Sequence, residues 1–286
     1  MQVLQRPKFN GSLPPQMRAE AELAVEKARR LLSDASEGLV FEPVEHKYML
    51  GDREMTSVSV MIKHFAPFDS EKTAEGCSKN PKHELYGKSV EEIIGIWEEK
   101  RDAAAAAGTE VHEFGEACCL FWQGREDEII ERYRERITAE GFVPQSPKEE
   151  AVVKWWNGLD PERFIVVACE GRIVNPLLGY AGTFDLLLYD IVDRKFLLKD
   201  YKTNEDIYKS YGAWMTGSLY RVLKNDDIGK YTMQQNMYGM QLDNIGIPTD
   251  VMHLIWLKSD GDFEEVPLRN EYRASIKYAL EHIGKS

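Results

Sequence analysis

Hydrophobic positions in the first third of the chain change between helical and strand-like spacing. Residues 14–35 place alanine and leucine at helical intervals between charged positions, with proline near the start, and this predicts a helix. Residues 39–60 contain two strand-like runs around Gly51-Asp52, which predicts a β-hairpin. Residues 65–88 contain scattered proline, glycine, asparagine and lysine, and we expect them to be irregular.

A long helical pattern begins at Val90. The Gly-Thr pair at 108 and 109 is expected to interrupt it. After this break, a second predicted helix carries His112 and Glu116 one turn apart. Two further helices are predicted at 126–140 and 148–158.

The spacing of apolar residues changes in the second half of the chain. The predicted elements are strands at 164–174, 183–190, 196–203 and 251–258, and helices at 231–242 and 270–283. Helices, then a compact antiparallel sheet, then helix, strand and helix together predict a mixed α/β protein. We expect residues 1–38 to form an N-terminal helical extension and residues 39–286 to form a single domain.

Composition indicates a globular protein. The 286 residues are 43% hydrophobic and 29% charged, close to globular averages. No run approaches the roughly 18 apolar residues of a membrane span, and the first residues lack the apolar core of a signal peptide. We therefore expect a soluble, intracellular protein without a membrane partner. The four cysteines form no C-x-x-C pair, which favours reduced, buried thiols.

The net charge of −12 argues against a protein that coats nucleic acid by neutralising phosphates. It is compatible with a metal-dependent enzyme, because carboxylates hold the cations and the cations then meet the phosphate. Residues 194–230 are locally basic, with eight Lys or Arg against five Asp or Glu. Four of these basic side chains could follow a DNA backbone, and the alternative is that they are ordinary solvated charges; they are Lys209, Arg221, Lys224 and Lys230.

The strongest candidate chemistry lies in a predicted hairpin. Asp185 begins one strand, while Asp200 and Lys202 lie near the end of the next. For a turn near Asp193, paired residue numbers sum to about 386, which places Asp185 opposite residues 200–202. Asp200 and Lys202 point to one face because side chains alternate along a strand. Two carboxylates and a lysine suit metal-assisted phosphodiester hydrolysis, and the alternative is a salt-bridged end of a hairpin.

The segments around these residues resemble a known family. GTFD at 182–185 and KDYKT at 199–203 are similar to motifs II and III of the PD-(D/E)XK nuclease superfamily, in its RecB-like and phage exonuclease VIII-like branch. The resemblance implies a restriction-endonuclease-like core, with a central mixed β-sheet flanked by helices. It also implies a metal-dependent exonuclease that hydrolyses phosphodiester bonds from DNA ends, in phage recombination or DNA repair.

Further motifs follow in the family's order. Residues 108–112 resemble its G-x-x-x-H motif, whose histidine is a metal ligand, and Glu170 resembles an acid placed before the G-x-x-D segment. Gln234 and Tyr238 resemble a Q-x-x-x-Y motif that borders the DNA, with Gln235 as a competing register. Without the resemblance, His112 and this glutamine–tyrosine pair are ordinary helix residues.

The resemblance implies a role for each candidate residue. His112, Asp185 and Asp200 would hold one or two Mg²⁺ or Mn²⁺ ions, and Lys202 would assist the attacking water. Glu170 would help to place metal or water. Substrate contacts are implied for Thr203, Gln234 and Tyr238.

Cofactors and partners follow from the same likeness. Several relatives hold an iron–sulfur cluster with cysteines after the nuclease core, but this chain has no cysteine after Cys169, and we expect no cluster. The implied partners are DNA, a single-strand annealing protein and further copies of the chain, in the cytoplasm of a bacterial or phage-infected cell. Two alternatives stay open: a catalytically inactive nucleic-acid-binding module of the same fold, and a structure-specific endonuclease.

Overall fold

The computed structural model describes residues 2–43, 45 and 47–283. Its helices are α1 (Pro15–Ala35), α2 (Val58–Phe65), α3 (Ser70–Lys79), α4 (Val90–Trp122), α5 (Glu131–Arg134), α6 (Pro147–Gly158), α7 (Asp227–Asn244) and α8 (Arg273–Glu281). Its strands are β1 (Leu39–Glu42), β2 (Lys47–Leu50), β3 (Arg53–Ser57), β4 (Ile137–Thr138), β5 (Gly141–Phe142), β6 (Phe164–Asn175), β7 (Tyr180–Asp190), β8 (Lys195–Lys202), β9 (Val251–Leu257) and β10 (Phe263–Leu268).

Within the described residues, eight strands form one sheet in the order β1-β2-β3-β7-β8-β9-β10, with β6 also paired to β7. The pairs β3–β7 and β8–β9 are parallel, and the other neighbours are antiparallel. The predicted fold class is therefore confirmed: the chain is a mixed α/β protein with a central mixed sheet flanked by helices, consistent with a restriction-endonuclease-like core. Among the described residues, no helix is long and apolar enough to cross a membrane.

Two hydrophobic clusters cover the two faces of the sheet. Neighbouring residues of β8 divide between them, Leu198 in the first cluster and Leu197 in the second, because side chains alternate along a strand. Helices α1, α2, α7 and α8 contribute to the first cluster, and α4 and α6 contribute to the second. Helices α4 and α7 thus lie on opposite faces of the β7–β8 hairpin.

The N-terminal helix packs against β6. Its buried residues recur every three or four positions, as an amphipathic helix requires; they are Ala21, Val25, Ala28 and Leu32. On the same helix, the Arg29 guanidinium donates hydrogen bonds to the carbonyl oxygens of Val166 (2.8 Å) and Val167 (3.2 Å), at an irregularity of β6. The division of the chain at residue 38 stays a prediction.

The predicted hairpin at 39–60 is correct only in part. It contains three strands, and the strand prediction for Val58–Val60 was wrong because Ser57 caps a helix by accepting a hydrogen bond from the Val60 amide. The segment 65–88, predicted to be irregular, contains α3, which Asp69 caps at the Lys72 amide.

Three other sequence predictions differ from the structure. Helix α4 runs unbroken through the Gly-Thr pair at 108 and 109, where the Thr109 hydroxyl donates to the carbonyl of Ala105 and so stays within the helix. The predicted helix at 126–140 was wrong: this region holds a short 3₁₀ turn, the four-residue α5 and part of a two-stranded ribbon. Strand β10 was not predicted, because its FEEVPL sequence is rich in charge.

The hairpin β7–β8 has the register that the sequence indicates. Its ladder runs from Asp190 opposite Lys195 to Leu186 opposite Lys199, so that residue numbers sum to 385. A turn at residues 191–194 joins the strands, and the Asp190 carboxylate accepts hydrogen bonds from the Val192 and Asp193 amides within it. The hairpin therefore has a fixed turn at one end and its acidic residues at the other.

Candidate metal centre

Three side chains from three elements converge at the open end of this hairpin. His112 of α4, Glu170 of β6 and Asp185 of β7 each offer one ligand atom, and these atoms lie within 4.8 Å of one another. His112 Nδ1 is 3.2 Å from Asp185 Oδ2. The group can hold a metal ion.

Asp185 reaches this position because the strand pairing stops beside it. The β7–β8 ladder ends at Leu186 opposite Lys199, and the Tyr201 amide donates to the Asp185 carboxylate (2.7 Å). A side-chain oxygen of Asp185 thus accepts the hydrogen bond from β8, and only 7% of the residue's surface is exposed.

Glu170 lies in a distorted part of β6. Its φ of 50° is in the left-handed region, which is unfavourable for a residue with a side chain. The residues on either side, Cys169 and Gly171, are paired with Leu186 and Phe184. The left-handed backbone thus falls on the residue that faces Asp185, whose carboxylate could bind a metal ion.

Helix α4 brings His112 to the cluster by packing closely on β8. Gly115 lies one turn after His112, and a Cβ atom added there would be 2.8 Å from a ring carbon of Tyr201. A larger residue would push the helix away from the strand. The glycine therefore fixes the distance between the imidazole and the carboxylates.

Asp200 and Lys202 form the second half of the site. Asp200 is 2% exposed, accepts a hydrogen bond from Gln235 Nε2 at its Oδ1 (2.9 Å), and forms an ion pair with Lys202 through its Oδ2. The Lys202 ammonium lies 4.5 Å from the ring centroid of Tyr231. A carboxylate and an aromatic face together hold this cation at the end of β8.

Gln235, the competing register for the glutamine of the Q-x-x-x-Y motif, is the residue that reaches the site. It is fully buried on α7 and contacts Asp200 directly, whereas Gln234 donates to the Tyr238 hydroxyl at 3.4 Å. Tyr238 packs against Phe184 of β7. Gln234 and Tyr238 are thus adjacent as the Q-x-x-x-Y spacing requires, and their contact with substrate stays a prediction.

Thr203 lies where β8 meets α4 and α6. Its carbonyl accepts from the Lys148 ammonium, and its hydroxyl would be 3.4 Å from a Cβ atom added at Gly108.

Glu116, one turn beyond His112, is half-buried, and burial raises its pKa. The basic residues at 209, 221 and 224 lie over the rings of Tyr211, Tyr220 and Trp214.

The charges at the centre are strongly coupled. Burial lowers the pKa of His112, but the neighbouring carboxylates, Asp185 first, outweigh it and raise the pKa to about 9. Burial and then Asp185 raise the pKa of Glu170 to about 8 and that of Asp200 to about 6. For Asp185, burial is outweighed by His112 and Lys202, so its pKa is lowered.

These residues fit a divalent cation. Burial and the nearby Asp185 raise the pKa of both Glu170 and Asp200, and a cation among the three carboxylates would relieve this repulsion. Asp200 Oδ2 has no hydrogen-bond partner in the described parts of the chain and meets only the Lys202 charge. Carboxylate oxygens suit Mg²⁺ and Mn²⁺, and an imidazole nitrogen favours the transition metal of the two.

Comparisons with known proteins give little. No protein-family model and no curated protein matches the chain. Thirteen chains among the solved structures match, and one of them, from Eubacterium rectale, carries the name "Putative exonuclease". It is 16% identical with a TM-score of 0.38, over 78% of this chain and 79% of its own. A likeness this weak supports no conclusion about activity.

Proposed function

We propose that the chain is a metal-dependent nuclease that hydrolyses DNA from an end. One observation carries the proposal: a histidine and two carboxylates that can hold a metal converge beside a buried carboxylate–lysine pair, where two strands separate. In a purely structural cluster of charges, acids and bases neutralise one another. Here three carboxylates meet one histidine and one lysine, and a bound cation would balance the additional acid.

Each side chain has a role in this reaction. His112, Glu170 and Asp185 would hold an Mg²⁺ or Mn²⁺ ion, and Asp200 would offer a further carboxylate to it or to a second ion. Such an ion would polarise the scissile phosphate and lower the pKa of bound water. Glu170 would help to orient a water.

Lys202 acts beside the ion. Its ammonium is held between Asp200 and the ring of Tyr231, so it cannot swing into bulk solvent. Burial lowers the pKa of Lys202, but Asp200 and its other neighbours outweigh burial and raise it, so the group stays charged at neutral pH. We propose that it orients the attacking water and stabilises the charge that develops on the phosphate.

The order of the motifs supports DNA as the substrate and attack from an end, because it resembles the order in exonucleases of the RecB-like branch. The motifs are G-x-x-x-H, E, GTFD, D-x-K-T and Q-x-x-x-Y. A role in phage recombination or DNA repair, a single-strand annealing partner and an oligomeric ring are proposals of the same origin.

The test is cleavage of end-labelled linear duplex DNA, linear single strands and closed circles with Mg²⁺ or Mn²⁺. The expected result is metal-dependent loss of linear DNA, intact circles and no activity in Asp200→Asn. Cut circles would replace the exonuclease with an endonuclease. Absence of cleavage with every metal, or full activity in the variant, would reject the mechanism and leave the nucleic-acid-binding module.

A further inference from the structure

A second basic region lies away from the metal centre. An open cavity of about 720 Å³ lies between the N-terminal segment, α1, the end of α4 and the start of β6. Within the described part of the chain, its lining includes four arginines and no acidic residue; the arginines are Arg6, Arg18, Arg29 and Arg125. We call it the arginine cavity. In a chain of net charge −12, such a lining marks a site for an anion.

The guanidinium groups are held in place by their surroundings. Arg6 lies 4.8 Å from the ring centroid of Phe121, and Arg18 lies 5.0 Å from that of Phe9. Arg29 is anchored on the carbonyls of β6 and has no carboxylate partner in the described part of the chain. Because these side chains are already ordered, a phosphate that binds them loses little affinity to ordering.

Three of the arginines also contact glutamates outside the lining. Arg6 pairs with Glu126, Arg18 with Glu22 and Arg125 with Glu128, all on the surface. Solvent screens exposed ion pairs of this kind, so each contributes little. A phosphate with several acceptor oxygens can therefore displace or share them.

Helix α4 connects the cavity to the metal centre. Partly exposed residues recur on one face of this helix from His112 through Glu116 and Leu120 to Gln123, which lines the cavity. A DNA strand that binds at both places would follow this face of α4.

Its length suits several nucleotides. The eleven residues from His112 to Gln123 rise about 16 Å along the helix. At roughly 3.4 Å per stacked nucleotide, this distance corresponds to about five nucleotides of one strand. Phe9, 58% exposed at the cavity, offers a ring on which a base can stack.

We propose that the arginine cavity binds the phosphodiester backbone of a DNA strand about five nucleotides from the bond held at the metal centre. The proposal rests on the nuclease function proposed above and adds a distant binding site to it. Binding there holds a long strand on the enzyme, and a strand too short to reach the cavity lacks this contact.

The test measures binding of fluorescein-labelled oligothymidylates of four and twelve nucleotides by anisotropy, with Ca²⁺ in place of Mg²⁺ and strand integrity checked on a gel. The variant is Arg6→Gln with Arg125→Gln, because both side chains are exposed and neither supports β6 as Arg29 does. The matched control is Arg101→Gln with Arg269→Gln, which removes two exposed, singly paired arginines elsewhere.

In the native protein, the twelve-nucleotide strand should bind at least about tenfold more tightly than the four-nucleotide strand. The cavity variant should lose this gain, and its slope of log affinity against log salt should fall by about 1.4, or 0.7 per lost contact. The control variant should keep both the gain in affinity with strand length and the native salt slope. Thermal melting of all variants verifies that each is folded.

The two proposals fail in different ways. If linear DNA is cleaved with metal but the cavity variant matches the control pair in affinity and salt slope, the arginine cavity is not a DNA site and the nuclease stands. If native protein neither binds strands of either length nor cleaves DNA with any metal, both proposals fall.

Discussion

Strand β8 carries charged side chains on both faces, and the two groups differ in how they are neutralised. On the α7 face, Asp200 contacts Gln235 and belongs to the candidate metal centre at the end of the hairpin. On the α6 face, the Lys199 ammonium is 2.6 Å from Glu265, whose other oxygen accepts from Trp155 Nε1 (2.6 Å). We call the second group the lysine cluster; its edge includes His253, paired in register with Lys199.

The comparison separates a balanced group from an unbalanced one. In the lysine cluster, burial opposes the charge of Glu265, but Lys199 and Trp155 outweigh it and lower the pKa. At the metal centre, burial and Asp185 raise the pKa of Glu170 to about 8. Lys199 outweighs the burial of Glu265, whereas His112 does not outweigh the burial of Glu170 and its repulsion by Asp185. The two carboxylates thus differ in how far neighbouring charges in the described part of the chain compensate their burial, and we expect the poorly compensated one to be the functional acid.

The largest effect expected from this contrast is on activity. Replacing Asp185 or Asp200 by asparagine should lower DNA cleavage about a thousandfold, about 4 kcal/mol of transition-state stabilisation, because the ion loses a ligand. Glu265→Gln, on the other face of β8, should stay within about threefold of the native rate. Initial rates of cleavage of linear DNA with Mn²⁺ test this prediction. Equal losses of activity from substitutions in the two clusters would mean that the clusters do not differ in function.

The next effect is the response to metal. Mn²⁺ at about a hundred times its Kd should stabilise the native protein by about 2.7 kcal/mol, and more than Mg²⁺ at the same concentration because one ligand is an imidazole. Glu265→Gln should keep this gain, and Asp185→Asn should lose it. Unfolding curves with and without metal provide the measurement. A gain retained in Asp185→Asn would place the ion elsewhere.

Without metal, the two clusters should respond oppositely to loss of an acid. Glu265→Gln leaves the buried Lys199 charge poorly compensated and should lower the free energy of unfolding by about 2 kcal/mol. Glu170→Gln removes repulsion from Asp185 and should raise it by about 1 kcal/mol. Denaturant unfolding in EDTA measures both changes, and destabilisation by both substitutions would mean that Glu170 is also balanced internally.

The smallest effect distinguishes adjacent glutamines of α7. Gln235→Leu releases Asp200 and should lower kcat about tenfold, about 1.4 kcal/mol, with little change in KM. Gln234→Leu should raise KM instead if this residue contacts substrate. Steady-state kinetics on a short oligonucleotide separates the two effects, and a KM change in the first variant alone would exchange their roles.

The acids of the hairpin could be predicted from the sequence because their geometry is local. A short turn and strand alternation predict, from residue numbers alone, that Asp185 lies opposite residues 200–202, and the predicted sum of about 386 differs by one from the observed 385. Glu170 could be proposed only by resemblance. Its side chain reaches the site through a backbone distortion that no sequence pattern indicates.

Other parts depended on packing that a sequence does not show. Gln234 and Gln235 are about 100° apart around α7, and only the packing of the helix on the sheet decides which one meets Asp200. The start of α2 was within reach, because Ser57 precedes apolar residues at helical spacing, Val58, Ile62 and Phe65. The alternation of its first residues favoured a strand, and burial of the helical face prevailed.

The turn at residues 191–194 has a consequence for how this protein can change. One residue inserted or removed there would shift the phase of β8 and turn Asp200 away from Asp185. Ile191 is buried in the first cluster and Arg194 has a φ of 53°, but Val192 and Asp193 are exposed, so the side chains of these two residues can vary while the length of the turn cannot. Among descendants of this chain, substitutions at Val192 and Asp193 should therefore be more common than changes in the length of the turn.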